Sequence, residues 1–302
     1  MSTDVTIAGV PISRPEKEMF PVSGDDSAVT KADVAQYYAD VAELMLPQLR
    51  GRPISMQRFP DGIEEPSFFE KKVPGHFPDF VATVQVDTAD GPQDQVRVEN
   101  EQSLVYLADQ ACLTPHGWLS TAENLHAPDQ LIVDLDPSVP DLRAVRRATR
   151  AVGELLDELG LVSFVKTTGS RGYHVLVPLR PEKDFDGVRR FARSLAEVLV
   201  QREPDLLTVQ ARKNNRGDRV FVDVQRNGYG QTAVPPYALR ARPGAPVATP
   251  ISWEEISRVE PDKYTITSIR RRLAQVEDPW AGLGRHRQTL DRAEERLQRR
   301  SG

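Results

Sequence analysis

The sequence predicts an α+β fold: an antiparallel sheet of the split β-α-β-β-α-β plan with two helices on one face, fused to an N-terminal module of mixed strands and helices. Three observations predict it. Two amphipathic helical patterns, about Asp141 to Leu159 and Asp186 to Arg202, alternate with apolar strand-like runs. Between them, "LVSFVKTTGSRGYHVLVPL" reads as two strands around the turn Gly169-Ser170-Arg171-Gly172. Ahead of them, "DQLIVDLDPSVP" reads as a buried strand that ends in two carboxylates.

The elements follow in order. Residues 30 to 50 predict a helix, because Thr30 and Asp33 have capping-box spacing and Val34, Tyr37, Tyr38, Val41, Leu44 and Met45 recur on one face. "GRPISMQRFPDG" and "PSFFEKKV" predict short strands around Pro60-Asp61-Gly62. "FVATVQVD" and "QVRVEN" predict a hairpin across "TADGPQD", and residues 101 to 112 a further helix. In the middle of the chain, a strand over 130 to 136 precedes a helix that Gly160 is placed to end. After the glycine hairpin and the second helix, "LLTVQA" and "RVFVDVQ" predict a last hairpin across "RKNNRGD", with Val220, Val222 and Val224 turned toward the helices. One domain over 1–302 is expected, with sub-modules of about 1–125 and 126–245 and a polar C-terminal helical segment over 246–302.

Bulk properties bound the function. The chain has 302 residues and 33.7 kDa, enough for a full core, with 39% hydrophobic and 27% charged residues. Its one cysteine, Cys112, excludes an internal disulfide and a multi-cysteine zinc site. No signal-peptide pattern opens the sequence and no run approaches eighteen apolar residues, so a cytoplasmic protein without a membrane partner is expected. The net charge of -5 conceals an uneven distribution: residues 212 to 242 hold seven basic side chains against Asp218 and Asp223. A cationic groove on an acidic body can still bind nucleic acid.

Asp134 and Asp136 lie one residue apart on a strand and therefore share a face, opposite Leu131, Val133 and Leu135. Carboxylates that close imply a bound cation or a shared proton. In the split plan the first and third strands are neighbours, which brings His174 near the pair, and the last strand flanks the first, which adds Asp223. Such a trio suits two divalent ions. The Gly-Ser-Arg-Gly turn can form an anion-binding nest, with Ser170, Arg171 and His174 as donors to a triphosphate.

"DLDP", "TTGSRGYHV" and "VFVDVQRN" resemble, in order and spacing, the three motifs of the archaeo-eukaryotic primase superfamily, and most closely the polymerase domain of the bacterial ligase D group and its stand-alone relatives. "PEKEMFP", "TKADVAQYYADVAELMLPQLRGRP", "RFPDGIEEPSFFEKKVP", "HGWLS" and "PPYALRAR" look like segments of that group, so the resemblance covers nearly the whole chain. It implies an RRM-like catalytic module in which Asp134, Asp136 and Asp223 bind two divalent cations, Mn²⁺ or Mg²⁺. It implies nucleotide contacts from His116, Ser170, Arg171, His174, Arg240 and Arg226. Lys17 and Lys31 match lysines that grip a 5'-phosphate, where the positive terminus of the helix beginning near Lys31 would help. Phe68 and Phe69 match an aromatic pair that stacks on a template base. Arg58 and Arg216 match further DNA contacts. Three residues depart from the group's pattern: Gln57 where a basic residue is usual, Arg171 for a common lysine, and Arg226 for a neutral polar residue.

The expected activity is template-directed nucleotidyl transfer in gap filling or break repair, inside a bacterial cell and associated with its nucleoid. Expected partners are gapped, nicked or broken DNA with a 5'-phosphate, nucleoside triphosphates, and a separate ligase or end-binding protein, since no ligase or phosphoesterase segment is recognised. The rival expectation is a non-catalytic DNA-end binding factor that recruits a ligase.

Overall fold

In the computed structural model, which describes residues 5–24 and 27–301, two short ribbons, β1 (Thr6–Ile7) with β2 (Val10–Pro11) and β3 (Glu18–Phe20) with β4 (Val29–Thr30), lead into helix α1 (Lys31–Asp40). Part of the opening segment read for a signal peptide lies outside the described residues. The predicted capping box forms: the Thr30 hydroxyl accepts from the Asp33 N–H, and the Asp33 carboxylate accepts from the Thr30 N–H. The helix expected over 30–50 is instead two, α1 and α2 (Ala42–Leu49), divided at Val41. The apolar period reads straight through the break because the Val41 carbonyl still accepts from Leu44 and Met45, keeping Val34, Tyr37, Tyr38, Val41 and Met45 on one buried stripe.

Strand β5 (Pro53–Arg58) pairs with β6 (Phe68–Glu70) across the predicted turn. The hairpin β7 (Thr83–Thr88) and β8 (Gly91–Arg97) is tighter than expected, turning over Ala89 and Asp90 only. Gly91 at φ 106° permits that turn, and the polar start of β8 hid it from a hydrophobic pattern. Helix α3 (Glu101–Asp109) ends earlier than expected, and Cys112 begins a strand the sequence did not announce, β9 (Cys112–Trp118). Every residue of β9 is buried, so it lacks the alternation that marks a half-exposed strand.

The catalytic-module plan is observed. Strand β10 (Gln130–Pro137), helix α4 (Leu142–Glu158), strands β11 (Phe164–Thr167) and β12 (Tyr173–Pro178), helix α5 (Phe185–Arg202), β13 (Leu207–Thr208) and β14 (Val220–Asp223) follow in turn. The sheet order is β13-β14-β10-β12-β11-β16, the last being Pro250–Ile251, with β10, β12, β11 and β14 mutually antiparallel where they pair. Leu131, Val133, Leu135, Tyr173, Val175 and Val222 share one buried face by register, and α4 and α5 pack on the sheet. Asp141 and Asp184 cap the two helices through their side chains.

Two expectations are corrected here. The last pair is not a hairpin: β13 runs parallel to β14, because the connection wraps round through a 3-10 turn at Lys213–Asn215. Strand β14 stops at Asp223, so Val224 leaves the sheet for a second 3-10 turn, Gln225–Asn227.

The boundaries also differ. The chain divides into two compact units, one of residues 1–123, 232–249 and 264–276, the other of 124–231, 250–263 and 277–302. The 126–245 module therefore ends early, since β15 (Thr232–Ala233) pairs with β9 and the Thr114 hydroxyl donates to the Leu239 carbonyl. Nor is 246–302 a single helical segment. It supplies β16 (Pro250–Ile251) to the sheet of the second unit, helix α6 (Ile269–Gln275) to the first, and α7 (Asp291–Ser301), which packs on α5. Pairing partners far apart in sequence set these limits, and composition carries no record of them. No described helix is long and apolar enough to cross a membrane.

Candidate active site

Strand register assembles the acids. Asp134 on β10 stands opposite His174 on β12 and opposite Asp223 on β14, and His174 stands opposite Lys166 on β11. Directly paired residues point to the same face, so Asp223, Asp134, His174 and Lys166 form one row across the sheet. Neighbouring strands place paired Cα atoms roughly 4.5–5.5 Å apart. Asp136, two residues beyond Asp134, joins the row's acidic end. Lys166 was not identified from the sequence. Its signal was the hairpin's symmetry, which sets Lys166 opposite His174 about the Gly-Ser-Arg-Gly turn.

Each oxygen of the D-x-D pair has a partner. Asp134 Oδ1 lies 3.3 Å from His174 Nε2, and Asp134 Oδ2 accepts from Arg226 Nε at 2.7 Å. Asp136 Oδ1 accepts from Arg171 at 3.3 Å, and Oδ2 from Arg216 at 3.2 Å. Arg216 is fixed, giving hydrogen bonds to the carbonyls of Gln210 and Ala211 and stacking 4.0 Å over the Phe221 ring. Asp223 Oδ1 accepts from the Gln225 N–H at 2.9 Å.

These partners set the protonation states. Burial alone would raise the Asp134 carboxyl, yet His174 and Arg226 hold it well below the usual carboxylate range. Burial first and Lys166 second push His174 down to about 4, so at neutral pH the imidazole is uncharged. The charge that keeps Asp134 ionised there is therefore Arg226, with His174 acting as a neutral Nε2–H donor. That tautomer leaves Nδ1 bare, in keeping with a buried His174 Nδ1 that meets no hydrogen-bond partner. Asp223 is shifted the other way, raised by burial and by the nearby Asp134 charge. A carboxyl raised by a neighbouring carboxylate is one that an added cation would relieve.

No three His, Cys, Asp or Glu side chains converge to hold a metal ion among the described residues. Strand register brings Asp134 and Asp223 opposite one another, and arginines occupy oxygens of Asp134 and Asp136. The donor set itself, three carboxylates at the centre of one sheet face, is the hard oxygen set that Mg²⁺ or Mn²⁺ takes.

The phosphate-nest expectation rests on the β11–β12 hairpin, where Gly169 adopts φ 63°, Thr168 N–H donates to the Gly172 carbonyl, and Ser170 is half-buried. Asn227 braces the strand beneath. Fully buried, it accepts from the Ile132 N–H at 2.9 Å and donates to the carbonyls of Ile132 at 2.8 Å and Val224 at 2.9 Å. Asn227→Ala leaves these backbone groups unpaired, and urea denaturation is expected to show a loss of about 2–3 kcal/mol.

The remaining residues belong to the first unit. Lys31 is buried, with Nζ 3.1 Å from Ser13 Oγ and 3.7 Å from Asp109 Oδ1, and burial lowers its pKa. Lys17 Nζ lies 2.5 Å from Asp61 and also donates to the Pro60 carbonyl. The helix terminus at Lys31 is not open to an anion as expected: its first N–H groups already donate to the carbonyls of Lys17 and Pro15 and to the Thr30 hydroxyl. Any anion there would meet side chains. Phe68 and Phe69 are 46% and 56% exposed on β6, a three-residue strand that pairs with β5. His116 on β9 lies 3.3 Å from Gln57 Oε1 and edge-on to Phe69 at 5.3 Å. Arg58 is paired with Glu70 at 2.5 Å and lies over Phe68. Arg240 follows β15 and donates its N–H to the Pro246 carbonyl.

Residues 30–280 match the family model of the LigD primase-polymerase domain. The chain is 34% identical over 298 residues to the multifunctional non-homologous end joining protein LigD of Pseudomonas aeruginosa, covering 95% of this chain and 34% of that protein. The Bacillus subtilis bifunctional non-homologous end joining protein LigD is 30% identical over 262 residues, covering 86% of this chain and 42% of that protein. The chain thus spans well under half the length of these relatives. Among solved structures, the polymerase domain of Mycobacterium tuberculosis ligase D in complex with DNA superposes with a TM-score of 0.84 and 30% identity, covering 92% of this chain and 99% of that one. With the family model matched over most of its length, the chain belongs to the LigD primase-polymerase domain family.

Proposed function

We propose that this chain is a template-directed nucleotidyltransferase that adds nucleotides to primer termini at DNA gaps or broken ends. The observation that carries this reading is the row of Asp223, Asp134 and His174 across one sheet face, with Asp136 beside it and the Gly-Ser-Arg-Gly hairpin at the end of the same strands. Asp134, Asp136 and Asp223 would hold two divalent ions, which supply an acidified 3'-hydroxyl and a neutralised pyrophosphate leaving group. The protein's own part is positioning. Ser170, Arg171 and the hairpin amides receive phosphate oxygens, and His174, uncharged, holds Asp134 in place without competing for its negative charge.

DNA is the proposed partner, supported by the DNA complex of the related polymerase domain. Lys17, Lys31 and Arg58 would meet phosphates, and the exposed Phe68 and Phe69 would stack on a base. Both phenylalanines already face solvent, so Phe68→Ala with Phe69→Ala is expected to leave the melting temperature nearly unchanged while weakening gapped-DNA binding about tenfold or more, read by fluorescence anisotropy. The separate ligase, the end-binding protein and the setting in a bacterial cell are proposed from the end-joining relatives.

The test is primer extension on a gapped duplex with a 5'-phosphate, Mn²⁺ and nucleoside triphosphates. Template-dependent extension with release of pyrophosphate supports the reading. No extension across several templates would remove it.

A further inference from the structure

The two phenylalanines of β6 lead in different directions. Successive residues on a strand point to opposite faces, so Phe69 turns with its partner Gln57 toward His116, 5.3 Å away, while Phe68 turns with Arg58, whose guanidinium lies 5.7 Å over the ring. From Phe68 the contacts continue within the first unit. Arg58 Nε donates to the Gln110 carbonyl at 2.8 Å, and Gln110 Oε1 lies 3.2 Å from His76 Nε2. His76 meets Phe77 at 5.2 Å between ring centres, Phe77 meets Tyr106 at 5.0 Å, and Tyr106 meets Phe80 at 5.5 Å. Phe80, at the far end, is 40% exposed, close to the 46% of Phe68.

The segment that carries these rings is pinned at several points. The Val73 N–H donates to the Asp94 carbonyl, the Phe77 N–H to that of Pro74 and the Val81 N–H to that of Pro78, and Val81 is buried. The prolines restrict the backbone of both turns, so the exposed Phe80 needs little further ordering to receive a ligand. The local charge suits a polyanion: residues 71–80 hold Lys71 and Lys72, both exposed, against Asp79 alone, and His76 is also exposed. Exposed rings combined with cationic side chains fit unpaired bases, whose faces are open, better than a duplex, whose base faces are already stacked. We propose that Phe80, with Tyr106 and His76, is a second stacking platform, which holds unpaired template bases beyond the one received at Phe68 and Phe69. The proposal rests on the DNA-binding reading above and adds to it a preference for a single-stranded template overhang.

Binding of the full chain to labelled duplexes, read by fluorescence anisotropy, tests the platform. Each duplex carries a recessed 5'-phosphate and a 3' overhang of either one or about six unpaired nucleotides. The unaltered protein is expected to bind the longer overhang about tenfold more tightly than the shorter. Phe80→Ala and Phe80→Leu are expected to lose most of that gain, the loss falling on the longer overhang alone, while Phe80→Trp keeps a stacking face and retains the gain. The one-nucleotide duplex reports folding, and Phe80→Leu, which preserves apolar bulk, carries the test if Phe80→Ala unfolds. No gain with overhang length in the unaltered protein, an undiminished gain in Phe80→Ala, or a gain retained by Phe80→Leu overturns the platform, and continued binding of the one-nucleotide duplex leaves the DNA-binding reading standing. If the unaltered protein binds neither duplex, both readings fall.

Discussion

Replacing Asp134 and Asp136 together with alanine is expected to reduce primer extension by about three orders of magnitude or more, while nucleotide binding in the absence of metal is retained or strengthened. The two effects have opposite signs for one reason. The pair supplies the negative potential that would bind divalent ions, and it also occupies Arg226, Arg171 and Arg216. Without the carboxylates, those guanidinium groups are available to phosphate oxygens and no hard oxygen ligands remain on β10. Nucleotide binding followed by fluorescence anisotropy, alongside extension on a gapped duplex, separates the two. Extension at the unaltered rate would show that the acids have no part in the chemistry. Loss of both binding and extension would point to a collapsed site, and the melting temperature would identify it.

Gly172→Ala is expected to destabilise the second unit by about 3 kcal/mol or more and to abolish extension with it. A Cβ built on Gly172 would lie 1.9 Å from the Leu135 carbonyl oxygen, which is backbone and cannot rotate away. The two central strands, β10 and β12, would have to separate at the point where Leu135 pairs with Tyr173, one residue from Asp134 and from His174. Gly169 in the same turn offers a contrast, since its demand is conformational, at φ 63°, and an alanine there is expected to cost only about 1–2 kcal/mol. Denaturation by urea, followed by circular dichroism, is expected to rank the two variants in that order. A Gly172→Ala variant as stable as the unaltered chain would show that the strands tolerate separation at this point.

The residues named as a site from sequence fall into two groups with different origins. Asp134, Asp136, His174 and Asp223 followed from strand alternation and the expected strand order, and β10, β12 and β14 pair as that order requires. Lys17, Lys31, Phe68, Phe69, His116 and Arg240 followed from resemblance alone, because an isolated lysine or a pair of phenylalanines carries no local signature of what it touches. Of these, the structure gives Phe68 and Phe69 the exposure that stacking needs, and shows Lys31 buried beside Ser13 and Asp109.

By itself, the sequence determined the split β-α-β-β-α-β module, the capping box at Thr30 and Asp33 and the shared face of the acids, because these depend on short-range periodicity and on the fixed geometry of a strand. Only the tertiary structure decided that β9 is a strand, that β13 runs parallel to β14, that residues 232–249 and 264–276 return to the first unit, and that Lys166 and Arg226 stand at the acids. Each of these depends on a partner distant in sequence. A wholly buried strand has no alternation to reveal it, and the direction of a two-residue strand is set by the loop that returns to it. An arginine's choice among several carboxylates is settled by distance and burial, neither of which is written in the order of residues.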